Sequence, residues 1–528
     1  MYVIAYDFGT TGVKSCLMDI GQGVKLVAGE YQGYELYILE NGGAEQDTEQ
    51  WWDAMCKTTG RLLQKTGVDP KEITGISFCS QMQGLVLVDK EKKALRRAMS
   101  YMDQRAGEDM RTCQAHGLTI AGVNAIMLAK SMIATHAAST SVKDPLWKYK
   151  WVQNHEPEIF ARIHKWLDVK EYLICRCTGE CVMTPDSAYA TFLYDTRKSR
   201  WSKDLCRMYG VKYEHLPRIV KCTQVAGLLT KEAAAQLGLA AQTPVYGGGG
   251  DATLIGIGAG STGLNDTHIY SGTSGWVGTV MDRQKVDIVS MIAGIVGAQP
   301  GKYNYFAEME TAGKCFEWVK EHLVCDEIDA YLSKVDVAES KETQYESLYD
   351  YMSEVVGQVE PGCAGVIFTP WLHGNRCPFE DPAAAGMFFN IGINTRKREM
   401  IRAVLEGICY HLRWMLECEE KKIKTSQVIR FVGGGALSTV TSQMLADITG
   451  HTIETVEYTK DVGAIGAALL VAVGSGKIKD LDSAKHLIPV KARFEPNPAN
   501  RAVYDRNYAV FKDLYRFNKK NFSRLNKR

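Results

Sequence analysis

Apolar and polar positions along the chain fall into short alternating runs at its start, helical stripes further on, and alternation again past the middle. Tyr2 to Tyr6 is an apolar run closed by Asp7, and Gly9-Thr10-Thr11-Gly12 separates it from a second alternating run over Val13–Asp19. Alternation on both sides of a glycine turn predicts strand, turn, strand, and Lys25–Tyr31 extends the pattern into an antiparallel meander. Asp47-Thr-Glu-Gln50 resembles a capping box; Trp51, Met55, Leu62 and Leu63 follow at helical spacing, with Gly67 as the stop. Ile73–Ser80 and Leu85–Asp89 read as strands around Gln81-Met82-Gln83-Gly84. Residues 105–240 are mostly helical in pattern, and Val245-Tyr246 then forms a short strand running into Gly247–Gly250 and Asp251.

The second half repeats the opening. Thr267–Tyr270, the turn Ser271-Gly272-Thr273-Ser274-Gly275 and Trp276-Val277 again predict strand, turn, strand. Thr395–Glu420 is a long amphipathic helix with Ile401, Val404, Leu405, Ile408 and Leu412 on one stripe. Val428–Val432 is a strand entering Gly433-Gly434-Gly435-Ala436; Leu437–Thr449 is a helix closed by Gly450; Thr452–Val456 is a strand, and a small-residue helix starts near Val462. The tail carries Tyr504, Tyr508, Phe511, Leu514 and Tyr515 on one face, and the basic stretch Asn518–Arg528 is expected to fray. The repeated turn predicts two halves of related architecture facing each other across a cleft, divided into 1–253 and 254–528.

Composition narrows the function classes. A chain of 528 residues with 45% hydrophobic and 23% charged positions has the make-up of a multidomain globular protein. A net charge of +1 provides no field to attract nucleic acid or an anionic membrane. No apolar run approaches the roughly 18 residues of a membrane span, and Asp7 interrupts any signal-like block. The 15 cysteines sit mostly in apolar segments, the usage of a reducing compartment, so the expectation is a cytoplasmic protein without nucleic-acid or membrane partners, with a homodimer as one open state. Cys175, Cys177 and Cys181 lack a fourth ligand and the paired spacing that zinc requires.

The candidate chemistry is phosphate chemistry. No Gly-Lys pair precedes Ser or Thr, so a P-loop is excluded. Gly258-Ala-Gly260-Ser-Thr-Gly263 fits a dinucleotide fingerprint by spacing, but no clean strand precedes it and no helix pattern follows. A set that coheres is the two hydroxyl-glycine turns, the Gly433–Ala436 loop and Asp251. Facing turns suit a triphosphate, Asp7 suits a cation such as magnesium, a glycine loop suits an adenine laid against backbone, and a lone Asp among glycines has room for a hydroxyl.

These residues resemble the FGGY family of carbohydrate kinases, over nearly the whole length. Asp7-Phe-Gly-Thr-Thr-Gly-Val-Lys14 looks like the family's first phosphate loop, Tyr270-Ser-Gly-Thr-Ser-Gly275 like the second, and Phe431-Val-Gly-Gly-Gly-Ala-Leu-Ser438 like the adenosine motif. Lys148-Tyr-Lys-Trp-Val-Gln-Asn-His155 and Gly386-Met-Phe-Phe-Asn-Ile-Gly392 are similar to its two signatures. The resemblance implies an α/β fold of two ribonuclease-H-like domains, as in actin- and hexokinase-like ATPases, flanking a nucleotide and sugar cleft. It implies ATP-dependent phosphorylation of a sugar hydroxyl with Asp251 as general base and Asp7 positioning magnesium. Thr10, Thr11, Gly272, Thr273 and Ser274 would bind phosphates, Gly434, Gly435 and Ala436 would lie against adenosine, and Met82, Gln83, Asp103 and Arg105 would line the sugar pocket. Within the family the substrate loops look most like those of xylulokinases, pointing to a ketopentose such as D-xylulose or a related ketose or polyol. Gln83 stands where His is usual and Ala252 where Asn is usual. Lys14 reads as a solvated strand residue. The alternative is an actin- or chaperone-like nucleotide switch that binds a protein partner; it shares the phosphate turns but leaves Gln81–Gly84 and Asp251 unexplained.

Overall fold

The computed structural model describes residues 1–120, 122–324, 326–327, 330–331 and 347–526. Two sheets organise it. The first contains β1 (Tyr2–Phe8), β2 (Gly12–Ile20), β3 (Val24–Gly33), β4 (Ile73–Ser80), β5 (Val225–Leu228), β6 (Pro244–Tyr246) and β7 (Gly249–Gly250), in the order β5-β6-β4-β1-β2-β3 with β7 also on β4. The second contains β8 (Thr267–Ser271), β9 (Gly275–Met281), β10 (Val286–Asp287), β11 (Ile292–Val296), β12 (Tyr303–Met309), β13 (Val428–Val432), β14 (Thr452–Val456) and β15 (Val490–Phe494), in the order β10-β11-β12-β9-β8-β13-β14-β15.

The two sheets share one plan. A central strand, β1 or β8, pairs antiparallel with its successor through a tight turn and parallel with a distant strand, β4 or β13. A further parallel strand, β6 or β14, comes next, and an antiparallel edge strand, β5 or β15, ends that side. The meander continues on the other side into β3 or β12. This repeated plan is the duplicated α/β architecture that the resemblance implies. The first strand reads as an apolar run because Val3, Ile4, Ala5, Tyr6 and Phe8 are all fully buried, as in a strand covered on both faces.

The helices that matter for the site are α1 (Thr48–Thr66), α2 (Pro145–His155), α3 (Val169–Thr178), α4 (Pro185–Ala190), α5 (Asp251–Ala259), α6 (Lys397–Glu420), α7 (Thr439–Thr449), α8 (Val462–Gly474) and α9 (Arg501–Leu525). Asp47 caps α1 by accepting the Glu49 N–H, and Gly67 ends it at φ 66°. α8 belongs to the second half of the chain but packs on the first sheet: Ile465, Leu469 and Val471 share a core with Val3, Ala5 and Met18. α5 joins the same core through Leu254 and Ile257, so α5 and α8 together join the halves.

Three local readings change. The glycine run before Asp251 is followed at once by a helix, α5, buried almost all round; with no polar face it has no helical stripe to detect. Gly258 and Gly260 of the dinucleotide-like spacing are the end of α5 and its left-handed C-cap at φ 87°. The basic tail does not fray from Asn518: α9 runs to Leu525 and brings Phe511 and Phe522 against the Trp371 ring. Among the described residues no helix is long and apolar enough to cross a membrane.

Candidate functional site

The site forms where the parallel strands of the first sheet end. Asp7 lies beside Cys79 in the β1–β4 register, and Gly250 lies beside Ser80 in the β7–β4 register. Three segments far apart in sequence, Asp7–Gly12, Gln81–Gly84 and Asp251, therefore leave the same sheet edge, the usual ligand edge of a parallel sheet.

The first turn is tightly built. The Gly9 N–H donates to the Gly12 carbonyl at 3.0 Å, Tyr34 N–H to the Thr11 carbonyl at 3.0 Å, and Gln46 Nε2 to the Thr10 carbonyl at 2.6 Å. Thr10 Oγ1 lies 3.3 Å from the Tyr101 hydroxyl. The second turn has its carbonyls held likewise: Gly313 N–H donates to Gly272 O at 2.7 Å and Ala312 N–H to Thr273 O at 3.0 Å. The third loop begins at Gly433, whose φ of 94° favours glycine, and its N–H donates to Thr459 O at 3.1 Å. Gly434, Gly435 and Ala436 then form a short helical turn against Ser271 at the end of β8. Thr273 and Ser274 thus sit at the sheet edge from which the glycine loop also departs.

The halves meet at Asp7. A Cβ placed on Gly463 of α8 would come within 2.6 Å of Asp7 Oδ2 and 2.9 Å of Cys79 Sγ. Lys14, opposite Asp7 on β2, is not simply solvated: its Nζ lies 3.2 Å from Asp461 and also donates to the Lys460 carbonyl, both from the other half. Burial raises the Asp7 carboxyl above its ordinary range, opposed by Lys14 and by a hydrogen bond from Cys79.

Asp251 stands at the first position of α5 with Oδ1 accepting the Ala252 N–H at 2.8 Å. Burial pushes its carboxyl up to about 7; the Ala252 N–H opposes this, while the negative charges of Asp7, Glu308 and Asp168 add to it. Met82 lies beside it, its sulfur filling the space where Gly250 would carry a side chain. Gln83 adopts φ 63°, with its carbonyl accepting from Lys148 Nζ of α2 at 2.7 Å. The next N–H, of Gly84, donates to Asp168 Oδ1 at 2.9 Å. Gln81 Nε2 donates to Gln46 at 2.8 Å, while its buried Oε1 has no hydrogen-bond partner. Burial lowers the Lys148 ammonium to about 8 against the pull of Asp103, Asp168 and Asp144.

Asp103 and Arg105 are brought to each other. Asp103 Oδ2 accepts from Ala44 N at 2.9 Å and from Arg105 Nε and Nη2 at 3.0 and 2.7 Å. Arg105 also reaches Glu45 at 2.7 Å and lies over the Trp151 ring. Sequence reading passed over Gln46, Tyr101, Asp168 and Glu308, and it took Lys148 only as part of a motif. Asp168 alone left a local signal, as an acid just before a helix.

Residues 2–258 match the FGGY family of carbohydrate kinases, N-terminal domain, and residues 268–475 match its C-terminal domain. The chain belongs to the FGGY family of carbohydrate kinases. It is thus an ATP-dependent sugar phosphotransferase, which sets aside the nucleotide-switch alternative. A xylulose kinase of Bacillus subtilis (strain 168) is 28% identical over 516 residues, 97% of this chain and 96% of that protein. A gluconokinase of the same organism is 26% identical over 529 residues, 99% and 97% of the two chains. The crystal structure of a ligand-bound xylulose kinase from Lactobacillus acidophilus superposes with a TM-score of 0.84 at 25% identity, covering 99% of both chains.

Proposed function

We propose that this FGGY kinase phosphorylates an uncharged sugar, a ketopentose such as D-xylulose or a related ketose or polyol, with Asp251 as the general base. The observation that carries the reading is the Asp251 carboxyl itself. It opens a helix at the edge where the phosphate turn and the Gln81–Gly84 loop also end, with its proton affinity raised to about 7. That value suits a group that must be ionised to accept a proton near neutrality yet bind it once taken. The acidic surroundings, Asp7, Glu308 and Asp168, favour a neutral sugar over a sugar acid, although relatives include both xylulose and gluconate kinases.

In this reading residues 1–253 hold the sugar and the first phosphate turn, and 254–528 hold most of the nucleotide. Met82 and Gln83 face the sugar, with the Asp103–Arg105 pair as the wall behind them. Thr10, Thr11, Gly272, Thr273 and Ser274 orient the phosphates, and Gly434, Gly435 and Ala436 support the adenosine. Among the described residues no three His, Cys, Asp or Glu side chains converge as a metal cage. One carboxylate beside a phosphate turn nevertheless fits magnesium, which keeps most of its oxygen ligands from water and nucleotide. Asp7 would hold that ion, and bound there it would neutralise charge on the transferring phosphoryl group.

The test is ADP release across free ketoses, aldoses, polyols and gluconate. Release with a neutral sugar, lost in Asp251→Asn with ATP affinity retained, is the expected result. Turnover with gluconate alone would overturn the substrate class, and near-normal turnover in Asp251→Asn would overturn the base.

A further inference from the structure

Asp186, on α4, is a buried carboxylate that the reaction above does not use; only 1% of its surface is exposed. Its Oδ2 accepts the Gly250 N–H at 2.7 Å and the Thr253 hydroxyl at 3.0 Å. Its Oδ1 accepts the Thr184 hydroxyl at 2.5 Å and the Cys222 thiol at 3.6 Å. Behind it Lys170, fully buried on α3, donates to Thr184 Oγ1 at 2.7 Å and to Ser187 Oγ at 2.6 Å and pairs with Glu171. The ammonium of Lys170 and these hydrogen bonds keep Asp186 ionised despite its burial.

The two groups that Asp186 grips lie on either side of Asp251. Gly250 occupies the N-cap position of α5 and has no side chain to accept a first-turn N–H. Asp186 fastens this helix start from a different helix, holding the cap residue by its own N–H and the first turn by the Thr253 hydroxyl. The single proton of that hydroxyl is shared with the Gly250 carbonyl at 2.8 Å, so one carboxylate, one hydroxyl and one peptide cluster around the Asp251 backbone. Gly250 is further pinned to β4 beside Ser80.

We propose that Asp186 is a positioning residue for phosphoryl transfer: it fastens the start of the helix that carries Asp251 and fixes the direction in which the Asp251 carboxylate leaves the backbone. The inference rests on Asp251 being the base. A shift of the reacting group of order 1 Å costs about 10²-fold in rate. Asp186→Ala is therefore expected to lower kcat for sugar phosphorylation by about 10²-fold. KM for ATP and the slow hydrolysis of ATP without sugar should stay unchanged. Asp186→Asn, which keeps an oxygen acceptor for the Gly250 N–H, recovers most of the lost turnover. Thr253→Val removes the second strut, leaves Asp186 in place and lowers kcat several-fold with the same unchanged KM; it decides the matter should Asp186→Ala not fold.

A folded Asp186→Ala or Thr253→Val protein with wild-type kcat overturns the proposal. So does a fall in kcat matched by equal losses of ATP binding and melting temperature, the mark of a merely structural role. Asp251→Asn run alongside separates the two ideas. Retained turnover there removes the base and this inference with it; lost turnover there with normal kcat in the Asp186 and Thr253 variants removes this inference alone.

Discussion

The raised Asp251 carboxyl trades stability for the proton-accepting role proposed for it. A free aspartate titrates at about 3.9, and in the folded chain burial and neighbouring acids raise Asp251 to about 7. In the proposed role it must be ionised, so kcat/KM for the sugar should rise with pH through an acid limb centred near 7. A pH–rate profile checks this; an acid limb below pH 5 would contradict the surroundings described for the carboxyl. The stability consequence has a definite sign. Because the folded state binds the proton more tightly than the unfolded state, the stabilisation linked to that proton is full below about pH 4 and lost as pH rises through 7. Above neutrality the ionised carboxylate is a burden on the fold. Asp251→Asn is thus expected to lose turnover by roughly 10²–10⁴-fold and, at pH 8, to melt at a higher temperature than the wild type, as scanning calorimetry would show.

Elements were legible where a single stretch carries its own instructions. α1 announced itself by Asp47 and Gly67, and β13, the glycine loop and α7 followed from an apolar run, three glycines and Gly450. α5 did not, because it is apolar on every face, and its fastening by Asp186 arrives from another helix. Lys148 and Asp168 gave little warning for the same reason: each is one polar residue in a distant segment whose target is a backbone atom of the Gln81–Gly84 loop. The C-terminal elements show how such long-range polar contacts hold a helix. Arg402 of α6 donates to Glu406 at 2.8 Å, to the Val356 carbonyl at 3.0 Å and to the Tyr504 hydroxyl of α9 at 2.9 Å, while Glu406 accepts the Gly362 N–H at 2.9 Å. Both charged side chains are buried. Removing one partner strands the other, so Glu406→Leu alone should cost about 3–5 kcal/mol, whereas Arg402→Met with Glu406→Leu should cost much less. Urea titration of the two variants distinguishes them, and equal destabilisation would mean that packing rather than charge pairing holds α9.

At the scale of the whole molecule, the two halves of the chain are joined through a shared apolar core and, elsewhere, through polar contacts. The apolar joint is the α5–α8 pairing, with Lys14 tied to Asp461. Elsewhere Lys143, from the first half, lies 3.7 Å from Glu310 of the second, in the surroundings of the Glu308–Arg376 pair at 2.9 Å. Both side chains are half-buried, but at this length the pair contributes about 0–1 kcal/mol, enough to bias a hinge but not to hold a fold. Closure matters to a kinase because water competes with the sugar as phosphoryl acceptor. Lys143→Glu would place a third acid against Glu308 and Glu310 and favour the open form. The variant should melt like the wild type, show less sugar-dependent compaction in small-angle X-ray scattering, and lose several-fold in kcat/KM while hydrolysing relatively more ATP without transfer. Raising the salt concentration should narrow the difference between the two proteins, since screening weakens the new repulsion and the old attraction alike. Unaltered compaction with unaltered coupling would assign closure to the sugar alone and leave Lys143 as a bystander.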